Sequence, residues 1–210
     1  MSKNISKIDI SWYKIPEIKI KVFITLIKPL YDIIEGKKIQ KSEPDIFAQE
    51  LWMALYNMTN EEWDKEHKKI QIERAWTMAL GIFHQNIMGS FDNWENYKKG
   101  HKSGCDIGKI DGSCIAEIKN NINTMNSSSK ESILKKLKKQ KELNKRTLLV
   151  IVNGDIKNYV KDGIEFISGR MFYNELSGRS NFMDDLLLTL TECFIHYKTY
   201  NALTDSLKKT

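Results

Sequence analysis

Asp106, Glu117 and Lys119 are the residues of this chain whose types and spacing could do chemistry together, and they share one stretch, HKSGCDIGKIDGSCIAEIKN, residues 101–120. Between them Asp111-Gly112 is a strong two-residue hairpin signal, because a type I′ turn needs positive φ at both centres. If these two residues form the turn, Ile110 faces Ser113, and equal steps outward set Asp106 opposite Glu117. Strand alternation then puts Glu117 and Lys119 on one face, with Ala116 and Ile118 on the other. Two carboxylates and one ammonium converge.

Facing carboxylates in a hairpin have Cβ atoms about 5 Å apart and repel one another. At an effective dielectric near 20 the repulsion is roughly 3 kcal/mol, a cost relieved when a cation sits between the acids or one of them is protonated. The bland alternative is a solvated hairpin edge, on which acids and lysine discourage pairing with a further strand.

Around this hairpin the chain supplies the elements that must position it. Residues 17–35 begin with alternating Lys and Ile/Val, but Pro29 and the spacing of Leu30, Ile33 and Ile34 predict a helix. A second helix is expected to start at Pro44, with Ile46, Phe47, Leu51, Ala54 and Leu55 on one apolar face as far as Tyr56. Thr59 and Glu62 spell a capping box that opens a long helix running to Gly89. After the hairpin, Ser128 or Ser129 is expected to cap a helix over 130–143, with Ile133, Leu134 and Leu137 facing a sheet. The run TLLVIV, 147–152, suits a strand buried on both faces. A further strand over 164–167, a short helix over 169–176 and a long helix over 181–203 complete the expectation. The last helix is read with Phe182, Leu186, Leu187, Leu190, Phe194 and Ile195 inward, and its apolar surface suits either core packing or a subunit interface.

Asp106 followed by Glu117-Ile118-Lys119 at the end of the next strand resembles the Asp…(Asp/Glu)-x-Lys core of the PD-(D/E)xK nuclease superfamily. The tail NNINTMNSSS, 120–129, and ISGRMFY, 167–173, resemble a group of type II restriction endonucleases within it, over roughly residues 70–180. Members of that group recognise short GC-rich palindromes of the GGNCC type. One departure is visible: the proline expected before the first acid is Cys105 here.

The resemblance implies an α/β fold with a restriction-endonuclease-like αββαβ core, a central mixed sheet flanked by helices. It also implies one nuclease domain over 1–210, with a helical part to about residue 90 and a catalytic core over about 91–180. Asp106 and Glu117, with the backbone carbonyl of Ile118, would hold Mg²⁺, and Lys119 would orient or help deprotonate a water. Superfamily members often add an acid or amide from the preceding helix, and Glu73 and Gln85 are the two candidates for that supporting role. The implied substrate is double-stranded DNA, and a palindromic target implies a homodimer.

For DNA contacts the tail offers Asn120, Asn123, Asn126, Ser127 and Ser128, residue types that bond base edges and phosphates, although a surface linker has the same composition. Lys135, Lys136 and Lys139 on the following helix read either as a solvated face or as a phosphate track. Its position immediately after the acid-x-Lys strand favours the track, and residues 119–146 hold nine Lys or Arg against two Glu, net +7, in a chain whose total is +6. Trp94 and Tyr97 are expected to pack beneath the site or touch nucleic acid, with packing the better reading. His84 is read as a packing residue.

Composition bounds the rest. With 210 residues, 41% hydrophobic and 29% charged, the chain suits one sizeable core. No apolar run approaches bilayer-spanning length, and the opening residues MSKNISKIDISWYK lack the apolar segment of a secretory signal, so a cytoplasmic location is expected. Three cysteines, 105, 114 and 193, fit reduced buried thiols better than a disulfide framework or a zinc site. Two rivals to a restriction enzyme remain: a junction-resolvase-like nuclease of the same fold, and a non-catalytic basic nucleic-acid-binding protein.

Overall fold

The computed structural model describes residues 10–37, 39, 42–97, 100–121, 125–154 and 156–195. The chain divides into two compact units, one within Met1–Leu26 and Phe83–Thr210 and the other Ile27–Ile82. The boundary falls inside helix α1 (Ile20–Ile34) and inside helix α3 (Asn60–Met88).

The larger unit carries a six-stranded sheet in the order β1 (Trp94–Asn96), β2 (Ile107–Lys109), β3 (Cys114–Asn121), β4 (Arg146–Asn153), β6 (Ile164–Ser168), β5 (Tyr159–Lys161). The outer pairs β1–β2, β2–β3 and β5–β6 are antiparallel, whereas β3–β4 and β4–β6 are parallel. The parallel β3–β4 pair needs a crossover, and helix α4 (Ser127–Lys141) supplies it. This is the strand, strand, helix, strand order expected, enlarged by β1 and β5, which are too short and too polar to have been read as strands. The fold is mixed α/β.

Ile115 of β3, Leu149 and Ile151 of β4, and Ile164 and Phe166 of β6 pack with Cys105 against Ile133 and Leu137 of α4. Each such side chain, fully enclosed, contributes about 1.5–3 kcal/mol. The alternate residues Ala116, Ile118, Leu148 and Val150 are buried as well, so the central strands are covered on both faces. Helix α5 (Gly169–Ser177) packs on β4 and β6 and against helix α6 (Phe182–Ile195).

Three helix details differ from expectation. Asn126, not a serine, caps α4, its Oδ1 accepting from Ser129 N at 2.8 Å. In α6 the buried stripe is Phe182, Leu186, Thr189 and Cys193, a three-and-four spacing that turns Leu187 and Ile195 to solvent. The third is in the smaller unit: helix α2 (Ile46–Tyr56) starts two residues after Pro44, capped by Asp45 through a 3.0 Å bond from Ala48 N. The apolar face of α2 is real in sequence but uncovered, with Phe47 81% and Leu55 73% exposed. The capping box at the start of α3 forms as read, Thr59 N donating to Glu62 Oε2 at 2.8 Å and Glu62 N to Thr59 Oγ1 at 3.3 Å. All three cysteines are buried and free. Among the described residues no helix is long and apolar enough to cross a membrane.

Candidate active site

The β2–β3 hairpin closes differently from the type I′ turn its sequence suggests. Gly112 N donates to Lys109 O at 2.9 Å, and Gly112 (φ 74°) alone of the Asp-Gly pair is left-handed. Asp111 instead uses its carboxylate to accept from Ser113 N (2.9 Å) and Ser113 Oγ (2.7 Å), which holds it out of the left-handed region a type I′ turn demands. The register nevertheless comes out as the simple count gives it, Ile107 beside Ala116 and Gly108 beside Ile115.

One step outward Asp106 leaves the ladder. Its N–H donates to Ala116 O at 3.1 Å, its carbonyl accepts from Tyr97 N at 2.8 Å, and its carboxylate Oδ2 accepts from the backbone N–H of Ile118 at 2.7 Å. The carboxylate is therefore tied to the middle residue of Glu117-Ile118-Lys119. Burial and the nearby Glu117 charge raise the Asp106 pKa above the usual aspartate value, opposed by the Ile118 hydrogen bond and by Lys119 and Lys136.

Glu117 is only 3% exposed. It lies on the same face of β3 as Ile115, the face that α4 covers, and a carboxylate there requires charged partners. Lys119 Nζ stands 2.8 Å from its Oε1. Lys136 Nζ, reaching down from α4, is 3.2 Å from both Oε1 and Oε2 and donates to the Gly104 carbonyl at 2.7 Å. Two carboxylates and two ammonium groups thus meet where the sequence indicated two and one.

The loop that presents Gly104 is itself braced. Tyr97 stacks on His101 at 3.9 Å between centroids, and His101 Nδ1 and Ser103 Oγ are 2.8 Å apart. Cys105 N donates to the same Ser103 oxygen at 3.2 Å. Gly104 has φ +67°, and a Cβ there would stand 3.0 Å from Lys136 Cδ. Gly108 meets Tyr97 still more closely, since an added Cβ would lie 2.1 Å from the phenol oxygen. Cys105, standing where the family pattern has proline, goes into packing: its thiol sits in the cluster beneath α4, and burial pushes it up to about 11.

The remaining candidates scatter. Asn120 accepts from Asn153 Nδ2 at 2.8 Å across the ends of β3 and β4. Asn126 spends its side chain on the α4 cap, while Ser127 and Ser128 are exposed in the first turn and Ser128 Oγ donates to Asn126 Oδ1 at 3.0 Å. Lys135 and Lys139 are exposed on α4, lining an open groove along that helix with Ser127 and Lys130. Asn123 lies outside the described residues. Gln85 is half-buried in the larger unit, and among the described residues no hydrogen bond joins it to Asp106 or Glu117. Glu73 is exposed and belongs to the smaller unit. Trp94 is buried edge-on against Phe172 at 5.3 Å, and His84 packs with its Nδ1 2.8 Å from Tyr173 Oη.

Lys136 is the site residue whose position near Glu117 the sequence reading missed. A signal for it exists: it follows Ile133 by three and precedes Gln140 by four, and both of those are buried, so it borders the sheet-facing stripe.

The family described as Eco47II restriction endonuclease matches residues 17–197. The type II restriction enzyme Sau96I of Staphylococcus aureus is 29% identical over 104 residues, covering 50% of this chain and 39% of that enzyme. The match therefore spans well under two thirds of the relative's length. No solved structure matches.

Proposed function

Since the chain belongs to the Eco47II restriction endonuclease family, we propose that it is a type II restriction endonuclease, hydrolysing phosphodiester bonds of double-stranded DNA at a short palindromic site with Mg²⁺. The observation that carries this reading is the Asp106 carboxylate hydrogen-bonded into the Glu117-Ile118-Lys119 strand, an all-oxygen donor set beside a lysine. Its similarity to Sau96I, a type II restriction enzyme, supports the same class.

The residues fit a hard divalent cation. Among the described residues no group of three or more His, Cys, Asp or Glu gathers. Two carboxylates with a backbone carbonyl, the rest of the shell left to water and phosphate, is the habit of Mg²⁺ rather than of zinc. Asp106, Glu117 and the Ile118 carbonyl would hold the ion, which would polarise the scissile phosphoryl oxygen and lower the pKa of an adjacent water. Asp106 is anchored for this by the Ile118 N–H, so its carboxylate needs no reorganisation. Lys119, whose Nζ already lies 2.8 Å from Glu117, orients the attacking water and donates to the charge that develops on the phosphoryl oxygens.

The exposed lysines of α4, Lys135 and Lys139, follow the DNA backbone, with Asn120, Ser127 and Ser128 available beside them. The reading is of one nuclease domain with a helical part to about residue 90 and a catalytic core over about 91–180, the latter supported by the sheet, whose strands run from Trp94 to Ser168. A palindromic target calls for a two-fold homodimer with one site for each strand.

The test is incubation of purified protein with plasmid and Mg²⁺, followed by mapping of the ends. Discrete fragments with a common terminal sequence are expected, lost in chelator and in Asp106→Ala and Glu117→Ala, and reduced at least about 10²-fold in Lys119→Met. Full activity in either acid variant overturns the site. Cutting of branched DNA alone indicates a resolvase-like enzyme, and metal-independent binding with no product indicates a non-catalytic DNA-binding protein.

A further inference from the structure

Glu117 is nearly enclosed, yet its two counter-ions hold it in different ways. Lys119 bonds one carboxylate oxygen, whereas Lys136 stands at 3.2 Å from both and is itself fixed by the Gly104 carbonyl at 2.7 Å. A cation equidistant from both oxygens of a carboxylate takes up the lone pairs that a hard metal ion would also use. Two cations so close to one carboxylate repel each other strongly at low dielectric.

We propose that Lys136 is an exchangeable counter-ion of the metal site: its ammonium neutralises Glu117 in the metal-free protein and must give way when a divalent cation binds. The inference rests on the metal-dependent reading above and adds to it a residue outside the Asp…Glu-x-Lys pattern. The placement is built by the fold. The Tyr97–His101 stack and the His101–Ser103 contact brace the loop that offers the Gly104 carbonyl. Gly104 leaves room beside the Lys136 stem that a Cβ would crowd at 3.0 Å. Lys136 is one-third exposed, so the released ammonium has a path to solvent and to the basic groove of α4. Lys136 is a positioning residue here, since it acts on the ion through Glu117.

The experiment is a Mn²⁺ titration of the full chain without DNA, with free ion followed by electron paramagnetic resonance. Lys136→Met is expected to bind Mn²⁺ on the order of tenfold more tightly than wild type, because no ammonium has to leave. Lys136→Arg, which keeps the charge, should match wild type, and so should Lys130→Met on the exposed side of the same helix. Lys136→Gln, able to donate to Gly104 without a charge, serves the same purpose as Lys136→Met where the latter does not fold. Metal-free Lys136→Met should also melt below wild type and gain more from Mn²⁺. Equal or weaker Mn²⁺ binding in the uncharged variants, with binding still dependent on Asp106, overturns the counter-ion role and leaves the nuclease reading standing. Absence of Mn²⁺ binding in every variant also overturns the counter-ion role, and plasmid cleavage then decides the nuclease reading by itself.

Discussion

Asp106 Oδ2 accepts a hydrogen bond from Ile118 N at 2.7 Å, so the first acid of the site is fastened to the peptide that separates the second acid from its lysine. A carboxylate that replaces a ladder hydrogen bond at a strand edge serves position before it serves stability. Burial and Glu117 both oppose its charge, and the Ile118 hydrogen bond with Lys119 and Lys136 offsets them in part.

Asp106→Asn should separate those roles. The amide oxygen still accepts from Ile118 while the charge facing Glu117 is gone, so cleavage falls to background and the urea midpoint at neutral pH stays at or above that of wild type. Asp106→Ala strands the Ile118 N–H and should be less stable than Asp106→Asn by about 1–3 kcal/mol. Equal stability of the two variants in urea titrations would remove the hydrogen bond from the account.

Gly108→Ala should disturb the site through packing. Its Cβ would meet Tyr97 Oη at 2.1 Å and Cζ at 2.6 Å, and the Tyr97 N–H supports the Asp106 carbonyl. Overpacking of this kind costs about 1–3 kcal/mol. The double variant with Tyr97→Ala should cost less than the two single changes added together, a coupling that chemical denaturation measures.

Lys135→Glu with Lys139→Glu should weaken DNA binding most at low salt and flatten the slope of log affinity against log salt by about two or more. Both side chains are exposed and neither touches Glu117, so Mn²⁺ affinity should not move. An unchanged salt slope in fluorescence anisotropy would leave α4 as a solvated face.

His84 gives the fold an acid sensitivity. Burial beside Tyr173 lowers its pKa to about 4, whereas in the unfolded chain it titrates near 6.5. The unfolded state therefore takes up a proton first as pH drops, and stability is lost from about pH 6.5 down through pH 4. Between pH 7 and pH 5 the loss amounts to at most about 2 kcal/mol. His84→Gln, which can keep a bond to Tyr173 without titrating, should flatten that part of the curve. Parallel pH profiles for the two proteins in urea melts would refute the assignment.

Several features were legible in the residues because they are local. The Thr59–Glu62 capping box forms because its partners are three residues apart. The apolar run of β4 suits a strand buried on both faces, and the strand is so buried. The side-chain period of two already put Glu117 and Lys119 together. The hairpin shows how far such reasoning extends. Its register was right although its turn was not, because apolar residues on both strands pin the pairing while Asp111 was free to satisfy itself on Ser113.

Where those local pieces meet was decided only in three dimensions. The apolar pattern of α2 looks like a core face, yet burial depends on what the rest of the chain brings to it, and α2 is left exposed. Leu187 and Ile195 are apolar yet exposed, because hydrophobicity alone does not choose between two faces of an apolar helix. Lys136 belongs here too. The sequence could place its charge beside DNA or solvent, but only the parallel β3–α4–β4 crossover lays that side of α4 over Glu117, 19 residues away along the chain. Sequence determined which groups carry charge and which strand face bears the acid and its lysine, since both follow from residue type and near-neighbour spacing. Tertiary structure decided how many cations that acid meets, because the second one arrives from another element and spacing along one strand holds no record of it.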